Sequence, residues 1–169
     1  RARLVGSEMC IRDRGKVFWL KVYEIPVASR TSKGRPLVNM LNLDDDERVS
    51  EILPVEEFSD DKFIFMATRK GITKKTNLSL FARKWKSGIK AINLDEDDRL
   101  VGTAITDGKK EILLASSAGK LIRFNETKVR AMGRTARGVK GMKLKKDQRL
   151  ISLNVADPEK TVLCVSENG

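Results

Sequence analysis

Three cations stand at one fixed distance from three glycines. Arg30, Lys84 and Arg134 each lie four residues before Gly34, Gly88 and Gly138. Lys33 and Arg137 directly precede the first and third of these glycines, and Lys90 and Lys140 follow the second and third by two residues. Arg35 and Lys86 add to the same loops. Ammonium and guanidinium groups on exposed loops are suited to phosphate oxygens, where each contact is charge-assisted and releases counterions. Such contacts go to a nucleic-acid backbone rather than to base edges, so binding is expected to be nearly independent of sequence. The candidate DNA-binding set is therefore Arg30, Lys33, Arg35, Lys84, Lys86, Lys90, Arg134, Arg137 and Lys140.

The whole chain agrees with that chemistry. Its 169 residues carry 34 Lys and Arg against 23 Asp and Glu, a net charge of +11. A basic excess of this size favours a polyanionic partner, nucleic acid before membrane. The chain has no histidine, which excludes Ser-His-Asp triads and imidazole metal sites. Cys10 and Cys164 are too few for a Cys₄ zinc site or a disulfide framework. No GxxxxGK[ST] loop is present, so P-loop nucleotide binding is excluded. No apolar run approaches the roughly 20 residues of a membrane span. The reading is a cytoplasmic protein with no active site and no metal or cofactor of its own.

A loop can carry repeated chemistry only if the elements that hold it repeat as well. Apolar strands lead into glycine-ended turns at FIFMATRKG, EILLASSAGK and TVLCVSENG, and GKVFWLK supplies a fourth glycine. These glycines, Gly15, Gly71, Gly119 and Gly169, are 56, 48 and 50 residues apart. The loop glycines are 54 and 50 apart, and Arg48, Arg99 and Arg149 are 51 and 50 apart. The runs at Phe63–Met66, Ile112–Leu114 and Val162–Val165 read as short buried strands, each followed by a glycine free to take positive φ in a hairpin. A period near 50 residues with about four strands per unit is the mark of a propeller blade. The expected fold is all-β and β-propeller-like, with an incomplete ring. Residues 15–169 form about three blades running into a fourth. In a radial repeat the basic loops fall on one rim as an arc, a shape matched to a curved duplex. The acidic turns before Arg48 and Arg99 sit at another repeat position and are expected to lie away from the basic loops.

Other residues receive structural readings. Tyr23 is the lone tyrosine and lacks a surrounding acidic cluster, so it is read as packing at a strand end. Trp19 and Trp85 are read as core or loop packing, and Cys164 as a small core residue. The glycine-rich stretch from Gly133 to Gly141 offers backbone N–H groups to phosphates but lacks a following helix.

At these same residues the chain resembles the C-terminal domain of DNA gyrase A, part of a type IIA DNA topoisomerase. The resemblance rests on ASRTSKGRPLVNMLNL, ERVSEILPV, FIFMATRKGITKKT, EILLASSAGKLIRFNE and VRAMGRTARGVKGMKL, and extends from Gly15 to Gly169. It implies a six-bladed β-pinwheel whose basic rim wraps double-stranded DNA in support of ATP-dependent negative supercoiling. It also implies that ATP and Mg²⁺ are used by the intact enzyme, whose catalytic tyrosine and ATPase lie outside this chain. The implied partners are duplex DNA, the rest of gyrase A, and gyrase B, with no membrane. The chain departs from the family in three ways. The glycine-rich box expected upstream of Gly15 is replaced by RARLVGSEMCIRDR, so residues 1–14 are taken as an extraneous extension outside the fold. The chain reaches about halfway round the implied ring. The catalytic parts lie elsewhere. Two other readings stand beside this one: the corresponding domain of topoisomerase IV, and a propeller whose basic loops bind an acidic protein.

Overall fold

The computed structural model describes residues 7–36, 39–41, 47–83, 85, 87–163 and 165. Three antiparallel hairpins form its skeleton. They are β1 (Ser7–Arg12) with β2 (Lys16–Lys21), β4 (Phe63–Thr68) with β5 (Ile72–Asn77), and β8 (Glu111–Ser116) with β9 (Leu121–Asn125). Each turns at its expected glycine, with φ of 79°, 81° and 72° at Gly15, Gly71 and Gly119. Each glycine N–H donates to a carbonyl three residues back, on Arg12, Thr68 or Ser116. A third strand returns beside the first in every unit: β3 (Val49–Val55), β7 (Leu100–Thr106) and β11 (Leu150–Ala156).

The fourth strand does not come from the same unit. Two-residue strands β6 (Ile89–Lys90) and β10 (Val139–Lys140) follow the loop glycines Gly88 and Gly138. β6 pairs with β2 of the preceding unit, and β10 pairs with β5. The sheets are therefore β3-β1-β2-β6, β7-β4-β5-β10 and β11-β8-β9. The expected four-stranded blade is present in the first two sheets; in each, three strands are local and the fourth is donated by the next repeat. Ala91 N–H donates to Gly15 O and Gly141 N–H donates to Gly71 O, both at 2.8 Å, so the donated strand locks the hairpin glycine of its neighbour.

Strand composition follows from sheet stacking. Strands covered on both faces read as continuous apolar runs rather than alternating ones. In β4, Ile64 and Met66 face one core with Met9, Ile11 and Val17 of sheet one, while Phe65 and Ala67 face another with Ile112 and Leu114 of sheet three. Strand β7 lies against both β3 and β11, and its Gly102 sits so close to Leu153 that an added Cβ would meet the Leu153 side chain at 3.1 Å. The third strands thus converge on an inner edge, and β6 and β10 occupy the opposite, outer edge.

Two sequence expectations are corrected here. The sequence reading puts residues 1–14 outside the fold, yet Ser7–Arg12 is a central strand of sheet one, with Met9, Cys10, Ile11 and Arg12 fully buried. The apolar alternation Met9–Ile11 against Val17 supplies what the position requires, a strand with a face for the first core. Arg12 is buried by stacking its guanidinium 3.7 Å from the Phe18 ring centroid and pairing with Glu47. Burial, helped by Glu8, raises the Cys10 thiol to about 11, which keeps it protonated and unreactive. Conversely, Val162–Val165 is not a strand among the described residues, and Val162 and Leu163 are exposed. A central strand needs partners on both sides, and none pairs with this segment among the described residues. Cys164 and Gly169 lie outside them.

Candidate nucleic-acid interface

The donated strands set the geometry of the basic loops. Loop two runs from Ala82 to Ala91 and loop three from Arg130 to Gly141, each crossing from its own unit to the outer edge of the sheet before. Both crossings require glycine. Gly138 has φ of 99°, and a Cβ there would lie 2.6 Å from the Thr73 carbonyl oxygen; at Gly88 it would lie 2.6 Å from the Phe18 ring. Side chains rarely adopt such φ values, and a backbone oxygen cannot move aside as a flexible side chain can. The strand after each glycine therefore sits flat on its neighbour, and its second residue, Lys90 or Lys140, is exposed at the same repeat position.

Loop three is laid along β5. Met132 N–H donates to Lys75 O at 2.8 Å, and Val139 pairs with Thr73 at the far end. Between these anchors Arg137 is exposed and Arg134 half-buried. The Lys74 ammonium reaches the carbonyls of both Ala91, at 2.6 Å, and Arg134. This draws loops two and three within reach of a single buried side chain. The Lys74 pKa falls to about 8, chiefly through burial and then through the Arg134 guanidinium.

Of the nine candidate residues, Lys90, Arg134, Arg137 and Lys140 are brought together on these adjacent loops. Lys84 and Lys86 lie outside the described residues. Arg30, Lys33 and Arg35 are exposed on the first loop. That loop differs from the others: a Cβ on its Gly34 would meet nothing within 4 Å, so it is not seated on a sheet as Gly88 and Gly138 are. Two further loop cations escape the sequence reading. Arg83 stacks 4.6 Å from the ring centroid of Trp85, which is half exposed rather than packed away. Arg130 is exposed where loop three begins. The Arg83-x-Trp85 spacing is the available signal for the first. Tyr23 is also exposed, at the end of β2, where it accepts a hydrogen bond from Lys21 Nζ at 2.6 Å instead of packing.

The second acidic turn is not segregated as expected, and Asp44, Asp45 and Asp46 of the first lie outside the described residues. Asp95, in the turn between β6 and β7, lies 3.6 Å from the Arg137 guanidinium, and Asn93 N–H donates to Ala136 O. The turn of one unit thus meets the basic loop of the next, because the donated strand carries that loop across the seam. Both side chains are well exposed, so the pair itself contributes little stability. Its effect falls on Arg137, whose charge is partly spent on a carboxylate. Asp95→Asn is expected to tighten duplex binding about two- to threefold at low salt by releasing that charge, with no change in melting temperature. Titration of labelled duplex against both proteins checks it.

These features define a class: an all-β repeat protein of stacked, strand-exchanging sheets, with no sheet closed on itself among the described residues and basic loops at the outer edge. The chain belongs to the family described as DNA gyrase C-terminal domain, beta-propeller, which matches residues 13–56, 62–107 and 110–157. It is 55% identical over 124 residues to the DNA gyrase A protein of Aeromonas salmonicida, an alignment that covers 73% of this chain and 13% of that protein. It is 52% identical over 128 residues to the Haemophilus influenzae protein of the same name, covering 76% of this chain and 14% of that one. The chain thus spans only about a seventh of the length of these relatives. Among solved structures, the C-terminal domain of DNA topoisomerase IV superposes with a TM-score of 0.84 at 28% identity, covering 92% of this chain and 49% of that one. No helix among the described residues is long and apolar enough to cross a membrane.

Proposed function

We propose that this chain is a duplex-DNA-binding module of gyrase A that holds a bent duplex against the outer edges of its sheets through phosphate contacts. The observation that carries the reading is the recurrence of exposed Lys90 and Lys140 at one position of two successive donated strands, with Arg134 and Arg137 beside them. Cations at a repeating spacing on fanned sheets fit a curved polyanion, and the many contacts offset the cost of bending. Contacts of this kind read no bases, so binding is sequence-independent.

In this reading the module serves an intact type IIA topoisomerase in the cytoplasm. Together with the rest of gyrase A and with gyrase B, it presents a wrapped segment for strand passage and so supports ATP-dependent negative supercoiling. The cleaving tyrosine, the ATPase and their Mg²⁺ belong to other parts of that enzyme. Identities of 55% and 52% to gyrase A proteins over about three quarters of this chain support the gyrase reading.

The test is fluorescence anisotropy with short and long random-sequence duplexes over a salt series. Affinity that rises with length and falls steeply with salt supports the reading. Absent or salt-insensitive binding, with tight binding to an acidic protein instead, would replace it with a protein-interaction role.

A further inference from the structure

Lys74 is an unusual residue for a strand centre. It lies in β5 with its side chain fully buried, yet among the described residues no carboxylate pairs with it. Its neighbour Lys75 points to the opposite face and has such a partner in Glu126. A buried ammonium is costly unless its hydrogen-bonding capacity is used. Lys74 uses it on backbone alone: Ala91 O, the residue after donated strand β6, and Arg134 O, inside loop three.

We propose that Lys74 is a positioning residue that clamps loops two and three at a fixed separation, so that the cations they carry present a single phosphate-binding surface; the functional part of this proposal rests on the DNA-binding reading above. Three arguments support it. First, an ammonium offers three donors on one atom, so it can hold carbonyls from two different repeats, which a hydroxyl cannot do by donation. Second, the contact falls in the middle of an arch. Loop three is already tied to β5 at Met132 and at Val139, and Lys74 fixes the span between those ties. Third, the clamp holds the Arg134 backbone while its own charge repels the Arg134 guanidinium. That repulsion favours side-chain conformers pointing away from the core, toward the exposed side where Arg137 and Lys140 stand. The position also explains a pattern in the sequence: two adjacent lysines in a buried strand, one paired with a carboxylate and the other hydrogen-bonded by the main chain of the loops it organises.

The experiment compares the wild-type chain with Lys74→Met, which keeps length but removes donors and charge, and with the milder Lys74→Gln. Three quantities are read: melting behaviour, amide hydrogen exchange over residues 133–141, and duplex affinity across a salt series. The expected result for folded Lys74→Met is faster exchange in that segment, with affinity at low salt falling about fivefold and the salt slope flattening by about one contact. The same substitution is expected to cost much less in an Arg134→Ala/Arg137→Ala background, because the loop it positions has lost its charges. A purely structural lysine would lower the melting temperature and leave the slope and this non-additivity unmoved. Folded Lys74→Met with unchanged exchange, affinity and slope overturns the proposal. Should both variants unfold, the ammonium protons of Lys74 in the wild type decide. Slow exchange by NMR supports the clamp, and fast exchange overturns it. If wild-type protein binds no duplex, the DNA reading fails, and the exchange measurements still judge the clamp on its own.

Discussion

Replacing Lys90, Arg134, Arg137 and Lys140 together by alanine is expected to weaken duplex binding roughly 100-fold at low salt and to flatten the log–log salt slope by about three. The slope is the more telling quantity. Each phosphate neutralised contributes close to one unit, so four fully engaged cations would remove nearly four. Two of these four are partly committed elsewhere: Arg137 lies 3.6 Å from Asp95, and Lys90 Nζ donates to Asn93 Oδ1 at 2.7 Å. Their net contribution is correspondingly smaller. In the proposed reading the contacts go to phosphates and not to base edges, so the loss should be uniform across sequences. None of the four side chains is fully buried, so the variant should melt as the wild type does. An unchanged slope in a folded variant would place the DNA surface elsewhere, with exposed Arg30, Lys33 and Arg35 of the first loop the next residues to remove. A reduced slope for one duplex sequence only would mean that bases are read after all.

The same loops show what a sequence discloses and what it withholds. The period, the hairpins and their glycines are legible, because a positive φ and a buried apolar run each leave a local trace. Gly71 and the run Phe63–Met66 can hardly be read otherwise. The exchange of β6 and β10 is not legible. A two-residue strand has no alternation to detect, and its partner lies some 70 residues away in the chain. That one omission accounts for the misplaced second acidic turn, since only the exchange brings Asp95 to Arg137. It also hides the partners of Lys74, one carbonyl just after the strand its own repeat donates and one in the loop of the next repeat. Ser7–Arg12 is missed for a different reason: family resemblance stops at Gly15 and has nothing to say of the residues before it. Apolar Met9 and Ile11, spaced for one face of a strand, are the physical signal that resemblance overlooks.

Glu126→Ala is expected to destabilise the fold by about 3–5 kcal/mol, the cost of leaving a buried cation without its counter-charge. Glu126 is fully buried. Its carboxylate accepts hydrogen bonds from Thr106 Oγ1 at 2.7 Å and from Lys110 N–H at 2.8 Å, and its Oε2 lies 3.9 Å from Lys75 Nζ. Removing it takes the acceptor from Thr106 Oγ1 and Lys110 N–H and the counter-charge from Lys75. Lys75, nearly buried, keeps only the Glu126 carbonyl at 3.0 Å and the face of Phe63. For a chain of this size the loss corresponds to a drop in melting temperature of roughly 10 °C. Lys75→Met should cost less, because the carboxylate keeps two of its three partners and the thioether fills much of the space. In the double variant the Lys75→Met change should recover part of what Glu126→Ala lost, since neither member of this pair is then left charged without the other. The damage should reach the proposed DNA surface through the backbone. Lys75 O accepts Met132 N–H at the start of loop three, so a strand loosened at Lys75 releases one of the two ties on which that loop hangs. Calorimetry on the three variants checks the order. Equal losses for the two single variants, with no recovery in the double, would mean that Lys75 finds water once its partner is gone, and that the packing of Glu126 rather than its charge holds the seam.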